Sequence, residues 1–222
     1  MPFSEDGLYR FEINSDKSIG GYMLAEYLKR EDPTITELEL PAEFNGKPVT
    51  MICGCFYGTF LKRVVIPPSV RYIARIAFGD SALESVKLPS GPIKLAGYVF
   101  AECRNLRSVE WGSTPPENIE LGPRVFHDCE KLPPEIIAMS MTRSLGELRR
   151  ICKADYRATL GKEIIQCDSF RADVFEILAK NKCYKKLNVK FLFEKMIKEN
   201  RHDLLIIAEK YGMLDSAALL DL

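Results

Sequence analysis

The stretch VVIPPSVRYIARIAF runs from Val64 to Phe78, and VKLPSGPIKLAGYVF runs from Val86 to Phe100. Apolar residues and prolines fall at matching places in the two copies. The leucines that open such units are Leu61, Leu83, Leu106 and Leu132, and the phenylalanines that close them are Phe56, Phe78, Phe100 and Phe126. A less complete copy, ITELELPAEFNGKPVTMICGCF, spans Ile35 to Phe56. Recurrence at a short, nearly fixed period is the mark of a stacked-repeat architecture.

Each unit has a physical logic. Leu61, Val64 and Ile66 correspond to Leu83, Val86 and Leu88, and then to Leu106, Val109 and Trp111. The last two of each set alternate with a variable residue, which predicts a short strand with one buried face. Pro67 and Pro89 follow directly and end ladder pairing. A second apolar pair comes next: Ile73 with Ile76, Ile93 with Leu95, Ile119 with Leu121. One unit cannot bury its own apolar side, whereas stacked copies share one continuous core.

The pattern LxxVxIPxxVxxIxxxAF, followed by Cys and Leu in AECRNLRSV and HDCEKL, resembles the BspA-type leucine-rich repeats. PAEFNGKPVTMI is similar to the capping repeat of that family. The resemblance covers roughly Ile35 to Leu132 and implies a bacterial protein of a family linked to adhesion and host contact. Two units depart from it. The one ending at Phe56 is a residue short after Ile52, and the one ending at Phe126 carries an insertion around Thr114 to Glu117.

The predicted fold class is α+β, a short leucine-rich-repeat solenoid followed by a small all-helical domain. Residues 1–34 are expected to cap the solenoid, 35–135 to form the repeats, and 136–222 to form the helical domain. Within the cap, LYRFEI alternates like a strand. GYMLAEYLKRED suits a short helix between Gly21 and Pro33, while the family resemblance implies a hairpin. After Pro133 and Pro134, EIIAMSMT starts a helix. Helical faces are then expected from Val174, Ile177 and Leu178, from Leu187, Phe191, Leu192 and Ile197, and from Leu204, Leu205, Ile207 and Ala208. Leu214, Ala217, Ala218 and Leu220 suggest a last one. ENRHDLLIIAEKYGMLDSAALLDL resembles an ankyrin-like helix pair without the ankyrin turn sequence.

Composition narrows the function. Lys plus Arg and Asp plus Glu balance at 31 each, which gives no general pull toward nucleic acid or acidic membrane. No stretch approaches the roughly 20 apolar residues of a membrane span. MPFSEDGLYRFEI has acidic residues where a signal peptide has basic ones, so a cytoplasmic location is expected. The seven cysteines, Cys53, Cys55, Cys103, Cys129, Cys152, Cys167 and Cys183, are odd in number and irregular in spacing, which predicts free thiols. Cys53 and Cys55 lack a second ligand pair for zinc. Cys55 instead occupies the place of Ala77, Val99 and Val125, a small core position. His127, Asp128 and Cys129 are types found in nucleophilic sites, but neighbours on one loop seldom converge on a substrate. No catalytic residue, cofactor site or metal site is therefore expected.

What remains is surface. Glu39, Val65, Lys87 and Glu110 should point away from the core, with Glu37, Arg63, Ser85 and Ser108 one step earlier lining up beside them. Such a row is the usual docking face of solenoids and points to a non-catalytic protein-interaction module. An alternative is a nucleic-acid-associated factor using the basic segment Lys180, Lys182, Lys185, Lys186 and Lys190 around Tyr184. No small-molecule substrate is evident.

Overall fold

Short strands bounded by Pro and Gly recur because each unit crosses the core twice and turns between crossings. The structure, a computed structural model, describes residues 3–112, 118–141, 171–181 and 189–213. Two compact units arise, Met1–Pro133 and Pro134–Leu222.

In the first unit, strands β3 (Glu37–Glu39), β6 (Arg63–Val65), β8 (Ser85–Lys87) and β10 (Ser108–Glu110) form a parallel four-stranded sheet in the order β10-β8-β6-β3. A second sheet runs β1 (Tyr9–Ile13), β2 (Tyr22–Tyr27), β5 (Lys47–Ile52), β7 (Tyr72–Ile73), β9 (Ile93–Leu95) and β11 (Ile119–Leu121). The short strand β4 (Glu43–Phe44) pairs antiparallel with β5. The inward residues Leu61, Val64, Ile66, Leu83, Val86, Leu88, Leu106, Val109 and Leu132 are buried, as the repeat pattern requires.

Between the second strand of each coil and the next leucine, backbone bonds link successive coils on a third side. Phe56 N–H donates to Ala77 O, Phe78 N–H to Val99 O, and Phe100 N–H to Val125 O, each at 2.9 Å. The closing rings then stack. Phe56 and Phe78 lie 4.9 Å apart with planes at 4°, Phe78 and Phe100 5.4 Å apart at 19°, and Phe100 and Phe126 5.6 Å apart at 7°. Trp111 meets Phe126 edge-on, 6.1 Å away.

One expected core residue is displaced. Ile76 is exposed at 36% and has φ +60, and Val70 fills the interior beside Ile73 instead. The corner explains this. Ile76, Tyr98 and Arg124 occupy one repeat position, and all three are left-handed. A β-branched residue there costs roughly 1–2 kcal/mol, borne because the turn sets the following Phe into the stack. The short coil ending at Phe56 skips this corner residue, which is where its missing residue falls. The insertion around Thr114 to Glu117 lies outside the described residues.

The cap is a hairpin, and the short helix allowed by GYMLAEYLKRED is not formed. β1 pairs antiparallel with β2, and β2 pairs parallel with β5, setting Leu24 against Ile52. A helix would leave the ladder edge of β5 unpaired, at a cost for each buried amide. Leu24 and Tyr27 are buried, and Tyr27 extends the ring stack, 5.1 Å from Phe56 and 5.9 Å from Tyr9. The turn is pinned from within, with Asn14 Nδ2 donating to Thr50 Oγ1 at 3.1 Å. At Gly21, φ is +75 and a Cβ would come within 2.4 Å of Pro48 O, so only glycine fits.

The second unit is helical where described: α1 (residues 134–141), α2 (Ala172–Lys180), α3 (Val189–Lys198) and α4 (His202–Lys210). Its core gathers Ala138, Val174, Phe175, Leu178, Ala179, Phe193, Met196, Leu204 and Ala208. Val174, Leu178, Leu204 and Ala208 are buried as the spacing predicts, while Ile177, Leu205 and Ile207 pack at the margin. Ile197 is 42% exposed, and α3 turns Phe193 and Met196 inward instead. The side chains of Leu187, Phe191 and Leu192, and the predicted helix from Leu214, lie outside the described residues. One local motif occurs twice in this unit, at the starts of α2 and α4. Arg171 grips Asp173 through Nε and Nη2 at 3.0 and 2.6 Å, and Arg201 grips Asp203 the same way at 3.0 and 2.8 Å.

The stacked rings give a direct test of register. Phe78 is fully buried between two neighbours, so Phe78→Ala is expected to cost on the order of 3–5 kcal/mol in urea unfolding. A loss under about 1 kcal/mol would be the value of a surface position and would contradict the stack.

Candidate functional site: the strand face of the solenoid

Period-two alternation over three-residue strands leaves two side chains of each strand outside and one inside. Parallel pairing then lines these up without slippage. Glu37, Arg63, Ser85 and Ser108 form one outward row, and Glu39, Val65, Lys87 and Glu110 form the other. Between them run Leu38, Val64, Val86 and Val109, of which the last three are buried. Six of the eight outward residues are exposed, and Val65 and Ser85 are half-buried. All eight predicted residues thus share one sheet, with neighbouring strands about 4.8 Å apart.

The electrostatics of this face are mixed. Glu37 lies opposite Arg63, and Lys87 opposite Glu110, in paired strands. Beside the rows, Lys62 and Glu84 approach to 3.9 Å across adjacent coils. Opposite charges on successive coils recur on the second sheet, where Lys94 meets Glu120 at 3.2 Å. Exposed pairs of this kind contribute about 0–1 kcal/mol to stability. Their effect is to pattern the face, not to hold it.

The candidate chemical groups lie elsewhere, and their settings are structural. Cys55 is buried in the row of Ala77, Val99 and Val125. Cys103 and Cys129 sit at one repeat position, and their thiols donate to Phe78 O and Phe100 O, each at 3.1 Å. The same position holds Ser81 and Thr59, whose hydroxyls donate to Phe78 O and Phe56 O at 2.7 and 3.0 Å. Sequence reasoning misses that equivalence, although stepping back one repeat from Cys103 reaches Ser81, and one more reaches Thr59. The group needed is a small donor that satisfies a buried carbonyl beside the ring stack, and either a hydroxyl or a thiol serves.

Burial pushes the Cys103 thiol up to about 11, and it raises the Cys55 and Cys129 thiols well above the ordinary value as well. A thiolate nucleophile needs the opposite shift. His127 Nε2 lies 3.7 Å from Asp128 Oδ2, and its ring meets Tyr98 edge-on at 6.2 Å, while the Cys129 thiol is committed to Phe100 O. The three neighbours are therefore not assembled around a common point. Among the described residues, no three His, Cys, Asp or Glu side chains converge as metal ligands. The basic segment from Lys182 to Tyr184, Lys185 and Lys186 falls outside the described residues, as do Cys152, Cys167 and Cys183.

Two sheets whose repeat strands pair in parallel, closed by a third inter-coil ladder and with a leucine and an aromatic ring per turn, define a leucine-rich-repeat solenoid. Residues 50–147 match the model of the BspA type leucine rich repeat region in 6 copies. Among solved structures, a leucine-rich repeat protein of T. pallidum is 24% identical, with a TM-score of 0.48, over 59% of this chain and 69% of that one. One from Bacteroides capillosus ATCC 29799 is 28% identical, with a TM-score of 0.40, over 60% and 88% of the two chains. A leucine rich cell surface protein from Faecalibacterium prausnitzii A2-165 is 22% identical, with a TM-score of 0.41, over 60% and 43%. No curated protein matches the chain significantly. Among the described residues, no helix is long and apolar enough to cross a membrane.

The buried thiols predict a pH dependence. The folded Cys103 value of about 11 lies above the ordinary 9.0, so the folded chain holds the proton longer than the unfolded one. The stabilisation is full below about pH 9 and is lost as pH rises through about 11. Cys103→Ser, which copies Ser81, is expected to fold and to give a flatter stability curve over that window in urea titrations. An unchanged slope would show that the thiol is not buried as described.

Proposed function

We propose that the chain is a non-catalytic protein-interaction module that docks a protein through its four-stranded face. Leucine-rich-repeat proteins typically mediate protein interactions, and the repeats here are of that class. The observation that carries the reading is the pair of outward rows, Glu37–Arg63–Ser85–Ser108 and Glu39–Val65–Lys87–Glu110, held in register by backbone pairing. The inward positions are occupied by packing and cannot encode a partner. The outward ones vary freely from coil to coil. Their mixed signs suit a partner whose charges alternate along the strip, setting register and on-rate more than affinity.

The expected result of reversing Lys87 and Glu110 together (Lys87→Glu with Glu110→Lys) is unchanged folding. Exposed substitutions usually shift stability by under about 0.5 kcal/mol. Affinity capture from the source cell, read by mass spectrometry, should lose the protein that the wild type retains. If capture survives this reversal and is lost on replacing Lys182, Lys185 and Lys186, the strand face is not the docking site. A steep salt dependence of nucleic-acid binding would then support the basic segment instead.

A further inference from the structure

The cap closes one of the two sheets and leaves the other open. On the second sheet, β2 and then β1 continue the order past β5, and β1 is met in turn by the bridge between Phe3 and Arg10. The four-stranded sheet ends at β3, whose strand partner is β6. Arg63 N–H donates to Thr36 O at 3.1 Å, and Leu40 N–H donates to Val65 O at 3.0 Å. Backbone groups in a parallel ladder alternate in direction. Thr36, Leu38 and Leu40 therefore turn theirs toward β6, and Glu37 and Glu39 turn theirs to the outer edge. Later coils show what belongs there. At the residues matching Glu37, Ser85 N–H donates to Lys62 O at 3.0 Å, and Ser108 N–H donates to Glu84 O at 3.4 Å. Glu37 and Glu39 have no earlier coil to donate to, and among the described residues no backbone bond meets them on that side.

The side chains of this edge are as incomplete as its backbone. The inward row is closed at Val64 and Val86, which are 0% and 1% exposed, but Leu38 is only half-buried. Leu38 has Val64 on one side and no coil on the other. Glu37 and Glu39 flank it, both exposed, and neither forms an ion pair within the described chain. A strand added at about 4.8 Å would set its own outward side chains beside these two carboxylates. A second copy of β3 is a poor occupant, because pairing in either direction about Leu38 sets glutamate against glutamate, and like charges directly opposite are destabilising. Charges on an edge strand block self-pairing in just this way.

We propose that the outer edge of β3 takes an extended segment of a partner protein as an added parallel strand, and that this segment reads basic–apolar–basic. Its central residue donates its N–H to Glu37 O and accepts from Glu39 N–H, in the pattern of the other pairs of the sheet. Its apolar side chain covers Leu38 and extends the row through Val64 and Val86. Its basic neighbours stand beside Glu37 and Glu39. On the other side of β3, the strand Arg63–Val64–Val65 already has half of that pattern, with Arg63 beside Glu37. Strand addition draws affinity from main-chain bonds and specificity from alternate side chains. The edge thus offers what the face does not, unpaired backbone groups, and the proposal does not rest on docking at the face.

The test uses the full chain under reducing conditions and a blocked, fluorescent peptide, Leu-Lys-Arg-Val-Arg-Ile-Pro, which copies residues 61–67 with Val65→Arg. Binding is read by anisotropy and by amide hydrogen exchange. In the free chain the Glu37 and Glu39 amides are expected to exchange fast, and saturating peptide is expected to slow both by at least about tenfold. Glu37→Lys with Glu39→Lys is expected to weaken binding at least about tenfold and to accept instead the peptide with glutamate in place of both arginines. N-methylation of the peptide's central valine removes one N–H and is expected to weaken binding to wild type at least about tenfold. That measurement stands even if the charge variant fails to fold. A wild type that does not bind the peptide overturns the proposal. So does equal binding by the charge variant, or equal binding of the N-methylated peptide, which would reduce the contact to charge alone. Slow exchange at Glu37 and Glu39 that develops with protein concentration and no peptide would put a second copy on the edge, and overturns it as well. The readout involves neither Lys87 nor Glu110, so its failure leaves docking at the face to be judged by capture.

Discussion

One aromatic ring per turn, stacked on the ring of the next turn, is the contact on which the rest of the solenoid depends. The ring spacings of 4.9 to 5.6 Å start at the distance between neighbouring strands, about 4.8 Å, and exceed it by under about 1 Å. A coil that kept its strands paired but lost its ring would leave a cavity, and one with a larger group would be forced out of register. Aromatic pairs contribute about 0.5–1.5 kcal/mol beyond their burial, and here they form an unbroken series from Tyr9 through Tyr27 to Phe126. The cap belongs to this series. By lending Tyr27 it closes the open end with the same interaction that joins the coils.

The stack has consequences for the polar groups beside it. The carbonyls of Phe56, Phe78 and Phe100 each accept a side-chain donor, from Thr59, from Ser81 and Cys103, and from Cys129. The thiols are thereby donors in a core, and burial holds them protonated. The left-handed corner at Ile76, Tyr98 and Arg124 brings each chain segment back toward the ring position. It also turns those three side chains outward. A packing requirement thus sets the Arg75 and Arg124 guanidiniums 5.0 and 5.9 Å from the Tyr98 ring on the third side.

The two outward surfaces differ for this reason. On the sheet faces, side chains stand across strands that pair in register, and charges of opposite sign on adjacent coils compensate one another. On the third side, turn geometry selects residues that tolerate a positive φ, and Asp80, Glu102 and Asp128 fill one such position. The acidic residues at this position follow from that backbone constraint, and Asp128 has His127 beside it at 3.7 Å.

Much of this was legible in the sequence. The repeat period, the inward Leu, Val and Phe positions and the eight outward residues of the strand face follow from spacing alone, because side-chain direction in a paired strand is set by its parity. The helices around Val174, Leu178, Leu204 and Ala208 follow from their helical spacing. Other features needed the tertiary structure. Hydropathy places Ile76 inside, but backbone handedness at the corner turns it out. YMLAEY suits a helix or a strand, and the unpaired edge of β5 decides for the strand. Tyr27 stands further before Phe56 than one repeat reaches, so only folding reveals it as a member of the ring series. The order of residues determined which groups each coil must bury. The three-dimensional closure of one coil on the next decided which of the remaining groups stand together, because neighbours across coils are set by backbone pairing between distant parts of the chain.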